Sequence, residues 1–180
     1  MKTGIIIAMA ALSMAIFAVP DAQAWWWHHG PDLNLRLSGS NFVTSSTDGA
    51  PTPLTGEVLT SMANGIAKGK HGRSLFTAQA ILDMVPENPA EFPPECLAMG
   101  MAGSGVSVTT VFTYNDGSIL SIVTDPALSF FCTDGVAFTV EFAGTVSGGS
   151  GRFDGAAGSW AGTAESTGGR VTSHVMIDLD

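Results

Sequence analysis

An all-β fold, either a sandwich or a closed barrel, is what this sequence predicts, and three features predict it. Apolar residues recur at alternate positions in one segment after another. Glycine, asparagine and aspartate punctuate those segments at short spacing. No stretch carries the long 3.6-residue periodicity of a helix.

The strands follow in order. Leu33, Leu35 and Leu37 alternate with Asn34 and Arg36. Over Ser74 to Leu82, Phe76, Ala78, Ala80 and Leu82 face one way, with Thr77 and Gln79 opposite. Val106, Val108, Thr110, Phe112 and Tyr114 form the next run. Asn115-Asp116-Gly117 then marks a hairpin, because Asp-Gly accepts the positive φ of a tight turn, and Ile119 to Thr124 is the returning strand. Val136, Phe138, Val140 and Phe142 alternate with Ala137, Thr139, Glu141 and Ala143. Gly158 to Ser166 and Val171 to Leu179 pair as a hairpin across Thr167-Gly168-Gly169. The spacing predicts eight or nine strands in all. A closed barrel would give every ladder a partner.

Val85 to Glu95 breaks the pattern. It carries Pro86, Pro89, Pro93 and Pro94 among Glu87, Glu91 and Glu95, and proline removes ladder donors, so the segment reads as a loop. Cys96 follows at once and would hold the loop's foot. Such a loop is expected to border the mouth of a barrel and gate it.

Residues 1–24 read as a cleavable signal peptide. Lys2 supplies the positive start, Ile5 to Val19 is apolar except for Ser13, Pro20 ends the run, and Ala22-Gln23-Ala24 is a small-x-small cleavage pattern. Fifteen residues at about 1.5 Å each reach about 22 Å, short of the roughly 30 Å hydrocarbon core. Cleavage near Ala24 leaves an arm over 25–32 and a domain over 33–180. The short leader looks bacterial, so the expected location is the periplasm or the medium, with no stable membrane insertion after cleavage.

The formal net charge of −9 excludes a nucleic-acid partner, which needs clustered Lys and Arg, and docking on anionic lipid. Cys96 and Cys132 are the two cysteines. An even count in an exported chain predicts one disulfide. Their separation, with no CxxC, argues against a metal site.

The most informative segment is Val146 to Trp160, which contains Gly148-Gly149-Ser150-Gly151-Arg152-Phe153-Asp154-Gly155-Ala156-Ala157-Gly158. It resembles the GGTGRFAGATGS signature of bacterial secreted proteins related to the allene oxide cyclase and dirigent barrels. Gly72 to Thr77 resembles the HLGRFT strand of that group, and Tyr114 to Leu120 its ANGDxL hairpin. The resemblance spans most of 33–180 and is most specific over Gly148–Gly158. It implies a single eight-stranded antiparallel barrel, calycin-like, often assembled as a homo-oligomer. Some members of that group cyclise or couple small hydrophobic molecules by moulding them inside the barrel. None of their catalytic residues aligns with a motif here.

Physics reads the same segment as architecture. Gly148, Gly149 and Gly151 allow backbone angles closed to other residues. Phe153 can then tuck under the turn as a plug, and Gly155 and Gly158 let the next strand approach closely. Arg152 would pair with a carboxylate or cap carbonyls.

Other constellations are weak. Gly148 to Arg152 lacks the Lys-Ser or Lys-Thr of a phosphate loop, and Arg152 stands where G-x-S-x-G needs its second glycine after Ser150. Trp25-Trp26-Trp27-His28-His29 places its histidines at the wrong positions for an amino-terminal copper site and is expected to pack on a surface. His71 and His174 read as surface residues, and Glu141 as solvent-facing. No metal and no cofactor is expected. The resulting expectation is an exported soluble barrel that binds a small hydrophobic ligand or serves as a structural or assembly component, with a cofactor-free cyclase or isomerase as the alternative. Phe112, Tyr114 and Phe138, on inward strand faces, are the candidate ligand-binding residues.

Overall fold

Among the described residues nine strands pair, each with antiparallel neighbours, and the sheet closes on itself. The computed structural model describes residues 32–46, 59–82 and 88–180. The leader, residues 25–31 of the Trp/His arm and residues 83–87 of the proline-rich segment lie outside the described residues.

The strands are β1 (Leu33–Ser46), β2 (Leu59–Gly69), β3 (Gly72–Leu82), β4 (Ala102–Tyr114), β5 (Ile119–Thr124), β6 (Phe130–Thr133), β7 (Ala137–Ser150), β8 (Gly158–Thr167) and β9 (Arg170–Leu179). A short helix, α1 (Pro94–Ala98), precedes β4. β1 pairs with β2 and β9, and β3 pairs with β2 and β4. β5 and β6 lie end to end between β4 and β7 and share one position in the wall. The result is a closed eight-stranded barrel with one extra strand, as the sequence predicts.

The break between β5 and β6 has a local cause. Asp125 accepts a hydrogen bond from the Ala127 N–H (2.9 Å), and Pro126 opens a one-turn 3-10 helix, Pro126–Leu128. A proline has no N–H to give to a ladder. Side-chain hydroxyls replace the lost backbone partners. The Val108 N–H donates to Thr124 Oγ1 (2.7 Å), and the Ala143 N–H donates to Ser129 Oγ (3.2 Å). The wall therefore stays hydrogen-bonded across the break between β5 and β6.

Alternation sets what faces inward. Leu33, Leu35 and Leu37 of β1 are buried, as are Val106, Val108, Phe112 and Tyr114 of β4. Glu141 is exposed between the inward Val140 and Phe142, and His71 and His174 are exposed, as their positions predict. Val136 departs from its expected place. It sits in the β6–β7 turn and is 78% exposed, because β7 begins one residue later.

The connections divide by end. The β2–β3 and β4–β5 turns and the β7–β8 crossing lie at the end marked by Leu33 and Leu179. At the other, β1 and β3 end, β2 and β4 begin, and the β6–β7 and β8–β9 connections lie.

Cys96 of α1 and Cys132 of β6 form a disulfide with Cα atoms 5.2 Å apart, and both residues are fully buried. The bond ties the β3–β4 connection to the wall. Gly103, paired with Cys132, leaves room for the Cys96 side chain: a Cβ there would lie 3.1 Å from that of Cys96 and 2.5 Å from the Phe131 carbonyl oxygen. The bond closes a loop with a sequence separation of 36. Replacing both cysteines with alanine should lower unfolding free energy by roughly 2–4 kcal/mol in urea titrations. Peptide mapping without reductant should recover the Cys96 and Cys132 peptides joined.

Candidate functional site

The barrel interior is filled at one end and hollow at the other. At the filled end, Leu35, Phe112, Leu120, Ile122 and Ile177 are all 2% exposed or less. The glycine-rich segment seals this end. A 3-10 turn, Gly151–Phe153, carries Phe153 inside, where it is 7% exposed. Its ring lies 5.1 Å from that of Tyr114. Gly155 serves its turn and not the close strand approach expected of it, since a Cβ there would meet nothing within 4 Å. Gly148, Gly151, Gly155 and Gly158 have positive φ, as the density of glycine around Phe153 predicts. Gly149 departs from that expectation and acts sterically. A Cβ there would come within 2.6 Å of the carbonyl oxygens of Ile119 and Phe153.

Arg152 locks the seal from outside. Its guanidinium carbon lies 4.1 Å from the Tyr114 ring centroid, and Nη1 lies 3.6 Å from Asp116 Oδ2. The N–H of Ser118 holds the Asp116 carboxyl below its usual range, with Arg152 adding a smaller effect in the same direction. Burial pushes the Tyr114 phenol up, against the opposing pull of Arg152. Tyr114 Oη and Ser74 Oγ, on paired residues of β4 and β3, are buried without a hydrogen bond among the described residues.

The hollow end contains a cavity of about 540 Å³. Its two sides differ. Between Phe76 and Leu82 of β3, β2 and β3 contribute the small residues Ser61, Ala63, Ala78 and Ala80, while β7 and β8 contribute Phe138, Phe142 and Trp160. Small inward residues on one side leave space that the aromatic side does not reach. Trp160 is fixed because its Nε1–H donates to Val123 O (2.9 Å), passing over Gly144, where a Cβ would lie 2.9 Å from Nε1. The rings of Phe142 and Trp160 are 5.8 Å apart. Phe42 and Val136 also line the cavity and are 49% and 78% exposed, so it reaches the surface at this end.

The cavity's polar groups are neutral. Among the described lining residues they are the Asn41 amide and the hydroxyls of Ser61, Thr110, Thr133, Ser166 and Ser173. Thr133 donates to Ala137 O (2.9 Å) and Ser173 to Thr163 O (2.7 Å). The rim turn between β6 and β7 is pinned by Asp134 Oδ1, which accepts from the N–H groups of Val136 (2.9 Å) and Ala137 (2.8 Å).

Of the three aromatic residues expected to bind ligand, only Phe138 lines this cavity. Phe112 and Tyr114 lie at the sealed end, one fully buried among aliphatic side chains and the other beneath Arg152. All three face inward, but the register places β4's last inward residues at the level of the plug. Arg152 takes the carboxylate option foreseen for it. Leu82, the last residue of β3, and Val106, its partner on β4, both line the cavity, so β3 ends and β4 begins at the mouth end. Among the described residues no three His, Cys, Asp or Glu side chains group as a metal site, and no helix is long and apolar enough to cross a membrane.

The small-residue wall escapes the sequence reading. Ala78 and Ala80 are recognised as inward, but β2 is not recognised as a strand at all. Its inward positions, Ser61, Ala63, Gly65 and Ala67, are all small and give no apolar alternation; Ser61 and Ala63 lie opposite Ala80 and Ala78. Compared with protein-family models, curated proteins and solved structures, the chain matches none.

The seal makes a clear expectation for Gly151. Its φ is +65°, and a Cβ would lie 2.6 Å from Ser118 Oγ. Gly151→Val should lose about 2 kcal/mol or more, a drop in melting temperature of roughly 4–8 °C. A calorimetric melt within a degree of wild type would refute this account of the turn.

Proposed function

We propose that this chain is an exported barrel that takes up a small apolar ligand through its open end. The carrying observation is the cavity of about 540 Å³, walled by apolar side chains in an interior that is otherwise filled. Ligand sites have volumes of about 300–1,000 Å³, predominantly apolar linings and a few placed polar groups. Leucine or valine in place of Ser61, Ala63, Ala78 and Ala80 would fill the space and add buried apolar contact. A wall that forgoes that stabilisation is explained by an occupant.

Export is part of the proposal. The Cys96–Cys132 disulfide suits an oxidising compartment, and the leader over residues 1–24 has the pattern of a cleaved signal, which together favour the bacterial periplasm or medium. The resemblance of Gly148–Gly158 to the allene oxide cyclase and dirigent group supports the same reading. A cofactor-free cyclase or isomerase would use this cavity too. Its chemistry would have to come from moulding the substrate and from hydroxyl groups, since the described lining residues offer no acid or base of perturbed pKa. Binding requires only the cavity, and it is therefore the reading adopted.

Filling the cavity tests it. Ala78→Phe and Ala80→Leu place bulk into empty space on a wall of small residues. The neutral dye N-phenyl-1-naphthylamine should brighten on binding wild type. The filled variants should keep a cooperative melt and lose about tenfold or more in affinity. An exposed control, Lys70→Ala, should bind as wild type does. Equal dye affinity in folded Ala78→Phe, or no dye binding to wild type, would overturn the proposal.

A further inference from the structure

The rim and the wall differ in charge. The chain has a formal net charge of −9, and Glu91, Glu95, Asp134 and Glu165, with Arg170 as a cation among them, belong to the mouth-side connections or to strand ends near them. Yet no Lys, Arg, His, Asp or Glu is present among the described residues that line the cavity. The barrel's backbone cannot supply charge complementarity either. Its N–H and C=O groups are spent in the ladders between strands, and at the β5–β6 break on the hydroxyls of Thr124 and Ser129. A carboxylate or ammonium drawn into this space would give up its hydration and meet no counter-charge.

The hydroxyls add a second selection. Thr133 and Ser173 have already committed their protons to carbonyl oxygens. Ser61, Thr110 and Ser166 make no hydrogen bond to other described residues, are 5–6% exposed, and open on the cavity. Each has an O–H proton to give. A hydroxyl can donate to an oxygen of a neutral ligand at little desolvation cost, but one or two hydroxyls do not replace the water shell of an ion.

We propose that the cavity selects uncharged ligands, with an apolar body and a hydroxyl, carbonyl or ether oxygen that Ser61, Thr110 or Ser166 can bond, and turns away carboxylates and amines of the same shape. This rests on the reading that the cavity binds a ligand, and it narrows that reading to a chemical class. The aromatic side formed by Phe138, Phe142 and Trp160 receives the apolar body.

The test compares three decyl compounds of one chain length. 1-Decanol, decanoic acid and decylamine are titrated against wild-type protein holding N-phenyl-1-naphthylamine, from pH 5 to pH 8. Decanol should displace the dye with an affinity independent of pH. Decanoate at pH 8, about three units above an ordinary carboxyl pKa, should bind about a thousandfold more weakly. Its apparent affinity should rise about tenfold for each pH unit toward the carboxyl pKa, because only the protonated acid enters. Decylamine, charged throughout, should stay weak. The triple variant Ser61→Ala, Thr110→Val, Ser166→Ala should lose several-fold in decanol affinity and keep its affinity for the dye.

The outcomes separate the two readings. If the dye binds and decanoate at pH 8 matches or exceeds decanol, the selection for neutral ligands is wrong while cavity binding stands. The same holds if decanol fails to displace the dye, or if the triple variant melts cooperatively and binds decanol as wild type does. If neither the dye nor any decyl compound binds, cavity binding fails and this inference falls with it.

Discussion

Closing eight strand positions into a barrel encloses a space of fixed cross-section, and inward side chains must either fill it or leave it hollow. Every other feature follows from how that filling changes along the axis. Toward the Leu33 and Leu179 end, Phe112, Leu120 and Ile177 meet from different strands, and Phe153 is folded in from the β7–β8 crossing. Toward the other end, β2 and β3 turn Ser61, Ala63, Ala78 and Ala80 inward. A filled base gives the barrel its cohesion, and the hollow upper part can be spared for other use.

The hollow part needs its own support, because empty space gives a wall nothing to pack on. Three devices supply it. Trp160 spans from β8 over Gly144 to the Val123 carbonyl and braces three strands at once. The disulfide anchors α1 on β6 beside Phe131 and Thr133, which line the cavity. Thr124 and Ser129 bridge the interruption between β5 and β6 with hydroxyl groups. Each lies in or next to the wall segment where the regular ladder is weakest.

Much of this was legible in the sequence, and the limits have physical reasons. Strands whose inward residues are large, such as β4 and β7, announce themselves by alternation. Asp116-Gly117 and Gly168-Gly169 mark turns, and the two cysteines mark their bond. β2 is silent because Ser61, Ala63, Gly65 and Ala67 give alternation no contrast, and β6, with four residues, is too short to show a period. The site was the harder problem. Phe112, Tyr114 and Phe138 look alike along the chain, each an aromatic residue on an inward face. What distinguishes them is height along the axis, set by cross-strand register such as Ser74 opposite Tyr114 and Thr133 opposite Phe138. Register joins residues distant in sequence, and no local pattern contains it.

The two ends also differ in how freely they can be rewritten. At the sealed end the turns are short, glycine conformation is prescribed, and an inserted residue would shift a strand and turn its inward face outward. At the mouth β1, β2, β3 and β4 have their pairing set along the rest of their length, so added chain between one strand and the next costs little. A lineage built on this plan can therefore reshape the cavity by editing one rim and a few wall methyls, while the opposite end holds the frame in register.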